Sequence, residues 1–129
     1  MWETYASFAN TRGGHILLGV KEEADGRFTA LGIAEPERLR DEFWLAASDP
    51  TIVSRNILDR GDLRIVTHEG RDMLIVRVPP IAPGDAPIFI NGDPLQGTYV
   101  RRGDGDFRCD HELVKQTLAR QREHDTEEE

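Results

Sequence analysis

The stretch SFANTRGGHILLGV, Ser7 to Val20, limits the fold more than any other part of the chain. Just ahead of it, Trp2, Tyr5, Ala6 and Ala9 fall at i, i+3, i+4 and i+7, one apolar helical stripe, so residues 2–10 are expected to be helical. Gly13 and Gly14 stop that helix, because glycine enters the left-handed backbone without a Cβ penalty. Both are read as architectural, with Gly14 expected at positive φ, where a β-branched residue would be strained. HILLGV follows at once as a short strand. It is apolar on both faces and therefore expected at the centre of a sheet.

The rest of the chain supplies partners for this unit. KEEADGR is a polar turn and FTALGI a returning strand, giving an expected hairpin with Asp25-Gly26 near its tip. Pro36 suits the first turn of a helix, and Leu39, Phe43, Ala46 and Ala47 continue it at helical spacing. DLRIVTHEGRDMLIVRVPP reads as two strands around a turn at His68–Arg71. IFIN and TYVRR are short strands separated by the turn GDPLQG. RRGDGDFR then reads as a tight turn leading into the last helix. Asp110 can cap that helix, whose apolar edge is Leu113, Val114 and Leu118. This order implies an α+β fold: a single domain with a mixed, largely antiparallel sheet packed with about three helices. The domain is expected over residues 1–122, followed by an acidic, disordered tail at 123–129.

Composition removes several function classes. The chain has 129 residues, enough to bury a core without disulfides or a structural metal. Its one cysteine, Cys109, excludes an internal disulfide and suits a reducing cytoplasm, the expected location. No apolar run approaches the roughly 20 residues that span a membrane. The net charge of −8 argues against a strongly basic nucleic-acid binder. Five of the acids, however, are Glu123, Asp125, Glu127, Glu128 and Glu129; without them 19 acids stand against 16 Lys and Arg, a net of −3. A local basic face is compatible with that balance.

Motifs for phosphate or metal chemistry are missing. There is no G-x-x-x-x-G-K-[ST] loop, and RRGDGDFR lacks the glycines of a dinucleotide fingerprint. Asp104 and Asp106 lack calcium-loop spacing, and His15, His68, His111 and His124 are scattered. No cofactor, metal or catalytic residue is therefore assigned. The strongest polar feature is TYVRRGDGDFR. Tyr99 offers a stacking face, and Arg101, Arg102 and Arg108 offer phosphate forks. The plainer alternative is a charged strand end whose arginines pair with Asp104 and Asp106.

Two stretches together resemble a known family. FANTRGGHILLGV is similar to the signature AFANTxGGxLLxGV, and PIFINGDPLQGTYVRRGDGDFRCDHELV to a later segment in which a Tyr-x-Arg strand meets a Gly-containing turn and a final helix. Both belong to the Schlafen/Alba-type DNA-binding domain, found in bacterial transcriptional-regulator-like and helicase-annotated proteins and in the Schlafen proteins. On this resemblance Asn10 and Thr11 hold the reversal through local side-chain-to-backbone hydrogen bonds, Gly13 and Gly14 let the chain turn, and Arg12 is the outward charge. Relatives carry an N-terminal segment resembling ExxxxEFK that supplies a strand and two acids. This chain starts inside the helix, so that strand is expected to be missing and a sheet edge left exposed.

The resemblance implies a non-catalytic, regulatory nucleic-acid-binding module, DNA ahead of RNA, contacting phosphates through Arg12, Arg101, Arg102 and Arg108 with Tyr99 as a stacking platform. Two alternatives stay open. One is a metal-dependent nuclease of Schlafen type, for which only Glu22, beside Glu23, matches an acidic position. The other is a protein-interaction or homo-oligomerising module.

Overall fold

The Gly13-Gly14 reversal joins helix α1, Trp2–Asn10, to strand β1, Gly14–Leu18. The structure is a computed structural model describing residues 1–82 and 84–128, with side chains described as far as residue 119. The expected stripe faces inward: Tyr5, Ala6 and Ala9 are fully buried, and Trp2 packs on Tyr5 and Phe43 with ring centroids 5.4 and 4.9 Å apart. The Tyr5 hydroxyl accepts from the Ile57 amide at 3.3 Å, so its burial leaves no orphaned polar atom.

HILLGV does not form one strand. Gly19, at φ +85°, breaks it, and a Cβ there would meet the Ile33 side chain at 2.7 Å. Residues before the break pair with β5, Arg71–Val78; those after it form β2, Val20–Glu22, which pairs with β3, Phe28–Ala30. The expected hairpin therefore exists as β2 and β3, but of HILLGV only Val20 belongs to it. The expectation that HILLGV lies centrally is also corrected. The three-stranded antiparallel sheet has the order β1-β5-β4, with β4 at Leu63–His68, so β1 is an edge. Continuous apolarity suggested two buried faces, but only Ile16 of β1 is buried and Leu17 is 37% exposed. The central strand is β5, whose Leu74, Val76 and Val78 alternate into the core. Its two-residue turn from β4 uses Glu69 and Gly70, both at positive φ, as such hairpins require.

Helix α2, Pro36–Ala47, starts on its proline and buries Phe43 and Ala47 against the sheet. A four-residue helix α3, Pro94–Gly97, is capped by the Asp93 carboxylate, which accepts from the Leu95 and Gln96 amides. TYVRR forms β6, Tyr99–Arg102, as expected. The following residues are not simply a turn into a helix. Gly105–Arg108 is a further strand, β7, folded back on β6 through a turn in which Gly103 sits at φ +58°. Helix α4, His111–Glu128, begins where Asp110 Oδ1 accepts from the Glu112 amide at 2.8 Å. Of its expected apolar edge, Val114 is fully buried and Leu113 half exposed. The backbone of the expected disordered tail is helical through Glu128, and Glu129 lies outside the described residues. Helix propagation from a capped, packed start costs little per residue. Among the described residues no helix is long and apolar enough to cross a membrane.

Candidate nucleic-acid interface

The functional geometry begins with two uncharged residues. The Asn10 side chain donates to the carbonyls of Ile88 at 2.8 Å and Tyr99 at 2.9 Å, and accepts from the Ile88 amide at 2.8 Å. Thr11 Oγ1 accepts from the Arg101 amide at 2.9 Å. The hydrogen bonds expected to be local are thus long-range. They clamp the end of α1 to β6, about 90 positions away in sequence.

The glycines divide their work differently from expectation. Gly13 is the one at positive φ, +76°, and a Cβ there would lie 2.7 Å from the Val78 carbonyl oxygen. Gly14 is a strand residue outside the left-handed region, correcting the expected positive φ. It is constrained instead by packing, because a Cβ would lie 2.7 Å from the Phe8 ring. That ring in turn carries the Arg101 guanidinium 5.3 Å above its centroid.

Arg101 is braced from a second side. Its Nη1 meets Asp106 Oδ1 at 3.0 Å, while Thr4 Oγ1 donates to Asp106 Oδ2 at 2.6 Å. Burial opposes ionisation of Asp106. Hydrogen bonds from Thr4 and Arg101 outweigh it and hold the carboxyl below its usual range. The wholly buried Ser7 hydroxyl adds to this from nearby, although it falls outside hydrogen-bonding geometry. The plain ion-pair reading of the arginines therefore holds for Arg101 with Asp106. A carboxyl lowered in the folded state binds fewer protons there than in the unfolded chain. Its contribution is present above about pH 4 and lost as pH falls through the folded value. In urea titrations, the wild type is expected to lose stability below that pH more steeply than Asp106→Asn. Parallel pH profiles would remove Asp106 as the brace.

An open groove of about 390 Å³ lies where the reversal meets the hairpin, lined by Thr11, Arg12, Gly13, Arg101 and Gly103. It brings Arg12 and Arg101 together. Arg102 stands next to Gly103 at the turn, its side chain on the opposite face of the strand from Arg101. Arg12 and Arg102 are exposed, and among the described residues neither guanidinium has an ion-pair or hydrogen-bond partner. Tyr99 and Arg108 are paired at the other end of the hairpin, roughly 10 Å along the strand. Arg108 Nε donates to the Tyr99 hydroxyl at 3.3 Å and its Nη1 to Gln96 Oε1 at 3.4 Å. Tyr99 is half-buried and packs against the core.

Sequence reasoning missed Thr4 and Phe8 as braces and Phe107 as an exposed aromatic. The hairpin register would have revealed Asp106 opposite Arg101 and Phe107 opposite Val100, but β7 was not legible as a strand. Glu22 is exposed on β2 and Glu23 accepts from Thr29 at 3.0 Å. Among the described residues no three His, Cys, Asp or Glu side chains gather as a metal site. Burial, with the Asp110 charge, pushes the Cys109 thiol up, away from the activated thiolate that nucleophilic catalysis uses.

These features define a class of protein: an α+β domain whose helix–Gly-Gly–strand reversal is clamped to an arginine-bearing hairpin. The chain belongs to the Schlafen, AlbA_2 family, whose model matches residues 1–110. It is similar to a solution NMR structure from Nitrosomonas europaea, the N-terminal domain of a protein named as related to the ATP-dependent DNA helicase RecG. The two are 25% identical, the match covers 83% of this chain and 72% of that one, and the TM-score is 0.59. Comparison with curated proteins gives no match.

Proposed function

We propose that this domain is a non-catalytic nucleic-acid-binding module that grips phosphates with arginines. One observation carries the reading: Arg12 and Arg101, far apart in sequence, line one open groove, and Arg102 follows on the other face of the same hairpin strand. Arginine forks suit phosphate oxygens, and each phosphate neutralised releases a counterion. The two kinds of arginine have different tasks. Arg101 is held rigid by Asp106 and Phe8, so it shapes the groove with part of its charge already balanced. Arg12 and Arg102 supply the unspent charge. Family membership supports the reading, as does a neighbour named for a DNA helicase, which favours DNA as the polymer.

The test is a salt titration of binding to a labelled oligonucleotide. Arg12→Ala and Arg102→Ala are each expected to weaken binding and to flatten the plot of log K against log salt by about one unit. Arg101→Ala is expected chiefly to lower the melting temperature, because it strands Asp106 without its ion pair. Unchanged affinity and slope in both exposed-arginine variants would refute the reading.

A further inference from the structure

The β6–β7 hairpin has two unlike faces. Tyr99, Arg101, Asp106 and Arg108 share one, and α1 covers it through the Thr4–Asp106 and Phe8–Arg101 contacts. Val100, Arg102, Gly105 and Phe107 share the other. On this outer face Phe107 is 50% exposed. A Cβ on Gly105 would lie 2.7 Å from Cε2 of the Phe107 ring. The ring therefore lies over Gly105, whose cross-strand partner is Arg102. A glycine opposite the arginine leaves room for the Phe107 ring at the strand position facing Arg102. Val100 extends the face into a largely apolar groove of about 160 Å³, shared with Ile81, Pro87 and Leu113.

We infer that this outer face takes single-stranded nucleic acid, stacking a base on Phe107 while Arg102 holds the adjoining phosphate. The inference rests on the proposed function and narrows it to a substrate class. A duplex keeps its base faces inside its own stack, whereas an unpaired strand offers them to a protein aromatic. An exposed ring and an exposed arginine at diagonal positions of one hairpin face match a polymer with phosphates and π-faces at adjoining positions. Phe28 is comparably exposed, but its cross-strand partner is Glu22, whose charge repels phosphate. Exposure therefore does not single out Phe107; the neighbouring Arg102 does.

The experiment measures fluorescence anisotropy of a labelled oligonucleotide, single-stranded and as a duplex of the same sequence, at one fixed salt concentration. The single strand is expected to bind more tightly. Phe107→Ala is expected to weaken single-strand binding roughly 5- to 30-fold, a base–aromatic stacking contribution, with duplex binding changed less than about twofold. Phe107→Trp is expected to restore single-strand affinity, which a loss of fold in the alanine variant would not explain away. Binding to both forms without preference, or without an effect of Phe107→Ala, overturns the inference and leaves the arginine reading standing. No binding to either form overturns both. If Phe107→Ala instead abolishes a dimer seen by light scattering and leaves single-strand affinity unchanged, the face belongs to a second copy of the chain and the inference is wrong.

Discussion

Gly97→Ala is expected to cost on the order of 3 kcal/mol, enough to lower the melting temperature by about 10 °C in a domain of this size. Gly97 closes the short helix α3, where the chain crosses Ile90 at close range. A Cβ there would lie 2.1 Å from the Ile90 carbonyl oxygen and 2.9 Å from its nitrogen. Both are backbone atoms, so no side-chain rotation relieves the overlap. Neither segment can retreat freely. The Ile90 amide donates to the Gly97 carbonyl at 3.0 Å, the Gly97 amide donates to Asp93 at 2.7 Å, and Ile90 bridges Val53. The displacement would propagate into β6, which starts two residues later at Tyr99 and carries Arg101 and Arg102. Gly61→Ala is the control: it has open space around it and lies outside the left-handed region, so its melting temperature should match the wild type. A Gly97→Ala midpoint equal to that control would contradict the close approach.

Asn10→Ala is expected to cost about 2–4 kcal/mol, because three hydrogen bonds to backbone groups are lost together and the groups are left with poor access to water. Asn10→Asp should rescue little of this. A carboxylate can still accept from the Ile88 amide, but it turns acceptor oxygens toward the carbonyls of Ile88 and Tyr99, which need a donor. Both variants should also weaken oligonucleotide binding, since the Tyr99 carbonyl anchors the strand that carries Arg101 and Arg102. Calorimetry together with the binding assay checks this. A destabilised Asn10→Ala with an Asn10→Asp of wild-type stability would mean that only the accepting half of the clamp matters.

The elements that depend on local pattern were legible in the sequence. The stripe Trp2, Tyr5, Ala6 and Ala9 predicted α1, Pro36 marked the start of α2, Asp110 the start of α4, and the polar break at His68–Arg71 the β4–β5 turn. In each case the signal and the structure it specifies lie within a few residues of one another. The α+β class followed from the order of those elements. Strand partners were less legible, because the pairing of β1 depends on β5, a strand more than fifty positions away. Gly19 divides an apolar run that looks continuous, and only its positive φ and its contact with Ile33 show why.

The candidate site divides in the same way. From the sequence alone Asn10, Thr11, Gly13 and Gly14 stood out as one motif, and Tyr99, Arg101, Arg102 and Arg108 as another. Only the tertiary structure joined them, since the Asn10 and Thr11 side chains satisfy backbone groups of Ile88, Tyr99 and Arg101. It also separated arginines that the sequence treats alike. Strand alternation, a local property, predicted opposite faces for Arg101 and Arg102. Which face meets α1, and so which arginine is braced by Asp106 and which stays exposed, is decided by packing between distant segments.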